Sequence, residues 1–126
     1  MSEAINTGTN TLPLEGIRVI ELGSFIAAPF AARLFGDFGA EVIKVERPDG
    51  GDETRAWGPP WSDGESTYFL SVNRNKTSRV IDLRTEEGRR EALELVDSCD
   101  VLIENFRAAT MDAFGLGYDE LSRRDP

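Results

Sequence analysis

GIRVIELGSFIAAPFAARLFGDFGAEVIKVE, residues 16–46, decides the fold. It opens on Ile17-Arg-Val-Ile-Glu-Leu22, rich in β-branched residues and bounded by Gly16 and Gly23, which predicts a buried strand. From Pro29 the apolar period becomes helical, with Phe30, Ala31, Leu34, Phe35 and Phe38 on one face. Pro29 is expected at the first helical position, where its missing N–H costs nothing, and Gly39 ends the helix. Glu41-Val-Ile-Lys-Val-Glu46 reads as a second strand. Strand, helix and strand over about 30 residues form a βαβ unit, whose strands lie parallel with a right-handed crossover.

Outward from this unit, residues 1–12 are rich in Ser, Asn, Thr and Gly and read as a flexible tail, leaving 13–126 as the domain. Arg47 to Glu65 holds Pro48, Pro59, Pro60 and several Gly, and is expected as a long ordered loop without regular structure, of the kind that serves function or partner contacts. Ser66 to Val72 is expected as a short helix or turn that turns Tyr68 and Phe69 inward. Arg79-Val-Ile-Asp-Leu83 reads as a third strand. Thr85 is then an N-cap with Glu86 and Glu87 in the first turn. That helix is predicted to run to about Ser98, with Ala92, Leu93, Val96 and Cys99 inward and Arg89, Arg90, Glu94 and Asp97 outward. Val101 to Glu104 is the fourth strand, and short helices are expected at Thr110 to Phe114 and Tyr118 to Arg124. The fold class is α/β: a Rossmann-like three-layer domain with a mostly parallel sheet. The sequence stops at Pro126 after a helix without a closing strand, which reads as the front of something longer.

The 126 residues carry 14 Lys and Arg against 23 Asp and Glu, for a net charge of −9. That balance argues against a nucleic-acid partner, which needs many cations to displace phosphate counterions. With no His, the chain supplies neither a Ser-His-Asp triad, nor a His base, nor a His-ligated metal. One Cys, Cys99, excludes an internal disulfide and a CxxC knuckle. No apolar run is long enough to span a membrane, and the polar, acidic start is unlike a secretory signal, so a cytoplasmic location is expected. The available chemistry is that of carboxylates, hydroxyls, Arg, Lys and the backbone.

An open parallel sheet binds ligands beyond the carboxyl ends of its strands. Gly23-Ser-Phe-Ile-Ala-Ala-Pro29 matches neither the dinucleotide fingerprint nor a Walker loop, although small residues at Ala27 and Ala28 let a ligand approach the backbone. Arg47, Arg74, Lys76, Arg79 and Arg84 lie near strand ends or in loops and can pair with phosphate oxygens or with surface carboxylates. Asn105-Phe106-Arg107 places an amide, an aromatic face and a guanidinium together, a set able to hold an adenine or pantetheine arm. The pairs Asp52-Glu53 and Glu86-Glu87 read as solvated loop and cap carboxylates. Trp57 and Trp61, in a Pro-rich loop, read as packing against the domain or a partner before a ligand.

Three stretches together carry a resemblance: PLEGIRVIELGSFIAAPFAARLFGDFGAEVIKVERPDGGDETRAWGPP, YFLSVNRNKTSRVIDLRTEEGR and DVLIENFRAATMDAFGLGYDEL. In this order and spacing they resemble the N-terminal segment of the class III CoA-transferases, the CaiB/BaiF family, with wording closest to the succinate-hydroxymethylglutarate branch. The resemblance implies coenzyme A as a substrate, no tightly bound cofactor, and acyl-CoA and carboxylate partners. It places Ile26 and Ala27 near pantetheine and thioester, Arg47 at the nucleotide, and Ile81, Asp82, Leu83 and Arg84 around the adenosine and its phosphates. Asn105, Phe106 and Arg107 complete the wall. Ile26 stands where some relatives have Gln, and Ala113 where some have Arg. The implied chemistry is attack of an Asp on the acyl-CoA thioester to give a mixed anhydride, followed by return of CoA. That nucleophile lies roughly 50 residues past Pro126 by the resemblance, so no catalytic residue is expected here and the 126 residues are expected to be inactive alone. The resemblance further implies an interlocked homodimer in longer members. Acyl-CoA racemisation within the same family, and a non-catalytic module complemented by a partner chain, stand as alternatives.

Overall fold

The expected βαβ unit is present: Arg18–Leu22 (β1) pairs in parallel with Glu41–Glu46 (β2), Ile20 opposite Ile43, and Ala27–Asp37 (α1) makes the crossover. This computed structural model describes residues 11–125, so residues 1–10 of the expected tail, and Pro126, lie outside the described residues. Beyond β2 come a 3-10 turn at Glu53–Ala56, a hairpin of Trp61–Ser62 (β3) with Glu65–Ser66 (β4), and a helix at Thr67–Asn73 (α2). Lys76–Val80 (β5), Glu86–Val96 (α3), Val101–Glu104 (β6), Thr110–Ala113 (α4) and Tyr118–Arg124 (α5) follow. The main sheet has the order β5-β2-β1-β6 with every pair parallel, as the α/β reading requires.

Three local expectations change. The loop after β2 contains structure, because Asp63 and Gly64 both adopt positive φ, 51° and 83°, and close the β3–β4 hairpin. An Asp-Gly pair at a two-residue turn is a hairpin signal that the Pro and Gly content masked. The third strand of the main sheet lies three residues earlier than the apolar run Val80-Ile81 suggested. Ile81 N–H donates to Glu46 O at 2.9 Å as a last rung, and the chain then turns through Asp82 to Thr85. Helix α1 starts at Ala27, two residues early, because Phe30 N–H donates to Ile26 O at 2.7 Å and puts Pro29 in the third helical position. Its end is as expected: Gly39 takes φ +102° and Ala40 N–H returns to Phe35 O at 3.0 Å.

The two faces of the sheet differ. On one, Ile20, Leu22, Ile43, Val45 and Ile81 pack with Ala92 and Leu95 of α3 and with Leu116, and Leu93, Val96 and Cys99 join at its margin as expected. Thr85 caps α3, its hydroxyl accepting from Gly88 N–H at 3.0 Å. On the other face a small apolar cluster of Val19, Ala32, Ala40 and Val42 sits under α1. There the expected inward stripe holds only in part: Phe35 packs against this cluster, but Phe30, Leu34 and Phe38 are 42%, 39% and 52% exposed, while Ala28, Pro29 and Ala32 are buried. Small residues let the helix lie close to the sheet, and the surface beneath it is partly charged.

That charge belongs to Glu21, Lys44, Glu46 and Lys76, whose side chains, with that of Ser78, share the α1 side of the strand ends. Glu21 and Lys44 are 0% and 1% exposed. Lys44 Nζ lies 2.9 Å from Glu21 Oε1, and Lys76 Nζ lies 2.7 Å from Glu21 Oε2. Glu46 receives Arg55 on both oxygens (2.6 and 2.7 Å), Ser78 Oγ (2.6 Å) and Asp52 N–H (2.8 Å). Arg55 also lies over the Phe69 ring, 3.9 Å from its centroid. Desolvation pushes the Glu46 carboxyl upward, but the hydrogen bonds from Arg55, Ser78 and Asp52 outweigh it and hold the group at about 2. A depressed carboxylate stabilises the fold above its unfolded value and loses that contribution as pH falls toward the folded one. The free energy of urea unfolding should therefore drop from about pH 5 to about pH 2, by on the order of 3 kcal/mol from Glu46 alone, and Glu46→Gln should flatten that slope.

Candidate functional site

The carboxyl ends of all four parallel strands open into one cleft of about 580 Å³, within the range of small-molecule sites. Leu22, Val45 and Ile81 carry the apolar core up into its floor. Phe106 and Phe114 stand beside it in edge-to-face contact, centroids 6.1 Å apart. Eight residues singled out from sequence meet here: Arg47, Ile81, Asp82, Leu83, Arg84, Asn105, Phe106 and Arg107. Ile26 and Ala27 sit on the exposed start of α1 and do not line it.

Four cations, Lys44, Arg47, Arg84 and Arg107, face four carboxylates, Glu46, Asp52, Glu53 and Asp82, so the cleft is neutral within a chain of net charge −9. The rim cations are held with unequal strength. Arg84 gives Nε to Asp82 at 2.8 Å and Nη2 to both Asp82 (2.9 Å) and Asp49 (2.8 Å). These contacts raise the Arg84 pKa and draw the Asp82 carboxyl below its usual range. Arg47 donates to Gly51 O at 3.0 Å and approaches Glu53 at 3.5 Å. Among the described residues the Arg107 side chain has no ion-pair partner. Exposed pairs of this kind contribute about 0–1 kcal/mol, so an anion with two or more oxygens can replace Asp49 or Glu53 at little expense.

The β1–α1 segment is fixed from several directions. Ser24 N–H donates to Asn105 Oδ1 at 3.1 Å and Asn105 Nδ2 donates back to Ser24 O at 2.8 Å. Asn105 thus spends its amide on this backbone. Phe25 takes φ +69°, a conformation that L residues adopt only when the surroundings impose it, and its ring lies 5.6 Å from that of Trp57. Trp57 in turn contacts Tyr68 at 5.1 Å, while both Trp side chains remain about half exposed.

Among the lining residues that the sequence reading did not assign to a site, Asp52 and Lys44 stand out. Asp52 was expected to be solvated but is 4% exposed. It caps the 3-10 turn through Thr54 N–H (2.9 Å) and lies 3.0 Å from Lys44 Nζ. Burial raises its carboxyl, and the bonds from Thr54 and Lys44 more than reverse this, leaving it below the ordinary value. Lys44 itself stood inside an apolar strand, and the signal was Glu21 at a matching place on the neighbouring strand, since opposite charges buried on adjacent strands must pair. Of the other cations, Arg74 binds Asp37, Arg79 binds Glu91 and Lys76 binds Glu21, all away from the cleft. Among the described residues no group of three or more His, Cys, Asp or Glu is arranged to hold a metal ion, and no helix is long and apolar enough to cross a membrane.

The model of CoA-transferase family III matches residues 14–126. The chain is 50% identical over 114 residues to succinyl-CoA:glutarate CoA-transferase of Mus musculus, an alignment covering 90% of this chain and 26% of that protein. It is 51% identical over 118 residues to the succinyl-CoA–L-malate CoA-transferase beta subunit of Chloroflexus aurantiacus, covering 94% of this chain and 29% of that one. Among solved structures, a CAIB/BAIF family protein from Brucella suis superposes with a TM-score of 0.86 at 44% identity, over 92% of this chain and 32% of that chain. The chain thus spans between a quarter and a third of the length of these proteins.

The same geometry fixes a steric limit at Gly23. A methyl group added there would overlap Ala28 Cβ and the Asn105 carboxamide. Gly23→Ala should lower unfolding stability by about 1–3 kcal/mol, read as a shift in the urea midpoint at unchanged slope.

Proposed function

The chain belongs to CoA-transferase family III, and on that premise we propose that its cleft binds coenzyme A for transfer between an acyl-CoA, with succinyl-CoA the favoured donor, and a carboxylic acid acceptor. The observation that carries this reading is the cleft itself: an apolar floor beyond four parallel strand ends, ringed by Arg47, Arg84 and Arg107. Coenzyme A joins an anionic nucleotide to a neutral pantetheine arm, and the two parts suit the rim cations and the apolar floor respectively. The named relatives are transferases, which favours transfer over racemisation. The composition and the lack of a membrane-crossing helix among the described residues fit a cytoplasmic setting.

Calorimetric titration of the 126-residue chain with CoA tests the reading. Saturable binding is expected, and Arg107→Ala should weaken it about 10- to 100-fold, the loss of one charge-assisted contact of about 1.5–3 kcal/mol. Absence of any binding heat would overturn the assignment.

The cleft carboxylates bear on catalysis. Asp52 is held by Lys44 and Thr54, Asp82 by Arg84, and Glu46 by Arg55 and Ser78. A carboxylate whose lone pairs are occupied by cations and whose basicity is lowered is a poor nucleophile toward a thioester. The 126 residues alone are therefore expected to give no CoA transfer from succinyl-CoA to glutarate above the uncatalysed rate, followed by chromatography of the acyl-CoA pool. Sustained turnover that survives Asp82→Asn would place the nucleophile elsewhere in this chain and sink this part of the proposal.

A further inference from the structure

We propose that Glu21, Lys44 and Lys76 form a buried positioning device that sets the backbone of the Gly23–Pro29 segment for the pantetheine arm of CoA. This rests on the reading of the cleft as a CoA site and adds how one part of that site is built. Each lysine ammonium lies within 3.0 Å of three oxygens: Lys76 hydrogen-bonds to all three, while Lys44 hydrogen-bonds to two and forms an ion pair with the third. Lys44 Nζ reaches Glu21 Oε1 (2.9 Å), Gly23 O (2.9 Å) and Asp52 Oδ2 (3.0 Å). Lys76 Nζ reaches Glu21 Oε2 (2.7 Å), Pro29 O (2.8 Å) and Asn73 Oδ1 (2.8 Å). Both amines are enclosed by these acceptors and 2% exposed in their side chains, so neither is available to a ligand. They act on the chain instead.

What they hold is specific. Gly23 O and Pro29 O are the two ends of the β1–α1 segment, and both ammonium ions are tied to one carboxylate, so the ends are fixed relative to each other through Glu21. Between the ends, Asn105 pins Ser24 and Phe25 keeps its positive φ. Helix α1 has neither a side-chain cap nor an acidic residue in its first turn, so its start depends on these contacts. A buried charge set of this kind is a costly way to fill space, since apolar residues of similar size pack there at no desolvation penalty. Apolar residues would also leave the Gly23 and Pro29 carbonyls without these donors.

The chemistry of the cleft decides which part of the ligand feels this device. The cations at the rim follow β2, β5 and β6, whereas the end of β1 contributes Gly23, Ser24 and Phe25, which bear no charge. An arm built of neutral amides and methylenes matches the β1 end, and phosphates match the Arg residues.

Lys76 does not line the cleft, so removing it reaches the ligand through Glu21 and the segment that they hold. Lys76→Met should weaken CoA binding about tenfold or more while leaving adenosine 3′,5′-bisphosphate, which lacks pantetheine, within about twofold of the wild type. Asn73→Ala, which keeps both lysine–Glu21 pairs, serves as the milder variant and should shift the two ligands in the same unequal way by about threefold. Equal weakening of both ligands, or no change in either, in a variant with a wild-type circular dichroism spectrum overturns the positioning role. If the wild type binds neither ligand, the CoA reading falls and takes this inference with it.

Discussion

Glu21 sits in the middle of the sheet with none of its surface exposed, and the surrounding architecture answers to that fact. An ionised carboxylate in such a place is tolerable only when cations reach it directly. Two lysines do so, one from β2 beside it and one from β5 two strands away, and each brings further acceptors that must be placed to within tenths of an ångström. The Asp52 turn, the first turn of α1 and the last residue of α2 are thereby tied to one point. Removing a single partner strands the others, which makes the set strongly coupled even though its net contribution to stability is modest: breaking a buried pair typically costs about 3–5 kcal/mol, far more than forming it contributes.

This constraint explains why α1 turns its small residues inward. The sheet surface below it is apolar at Val19 and Val42, with Val101 and Ile103 at its margin, and the charged heads of Lys44 and Lys76 occupy the part toward the strand ends. A helix that buried Phe30 and Leu34 there would stand too far from the sheet for Pro29 O to meet Lys76. Ala28 and Ala32 allow the close approach, and Phe30, Leu34 and Phe38 are left on the outer face. The opposite face carries no such demand, and α3 packs on it in the ordinary amphipathic manner.

The same contrast separates what could be read from the sequence from what could not. Patterns that report only burial were legible: the β1–α1–β2 unit, the Thr85 cap, the inward side of α3 and a mostly parallel sheet all follow from apolar spacing and end signals. The cleft was legible too, because a parallel sheet fixes where ligands bind before any side chain is placed, and eight of the ten residues named for it do line it. The errors fall where a residue's role depends on a distant partner. Lys76 and Ser78 make β5 a polar strand because Glu21 and Glu46 wait across the sheet, and local composition favoured the apolar Val80-Ile81 instead. Asp52 looked like a loop carboxylate since its cation, Lys44, is eight positions back and hidden in a strand. Phe30 and Leu34 looked like core for want of any sign that the surface opposite them was charged.

A division of labour between two kinds of ion pair follows. The interior pairs have short contacts and little exposure, so they hold one geometry and do not exchange partners. The rim pairs, Arg84 with Asp49 and Arg47 with Glu53, are more than half exposed and weak enough for a polyanion to displace. Their carboxylates keep the Arg side chains oriented over the cleft when no anion is there, and leave it neutral despite the acidic chain around it. On the proposed function, a phosphate of CoA would replace one carboxylate with a better-matched acceptor without movement of the strands, because the segment beneath the rim is already fixed by Glu21 and its two lysines.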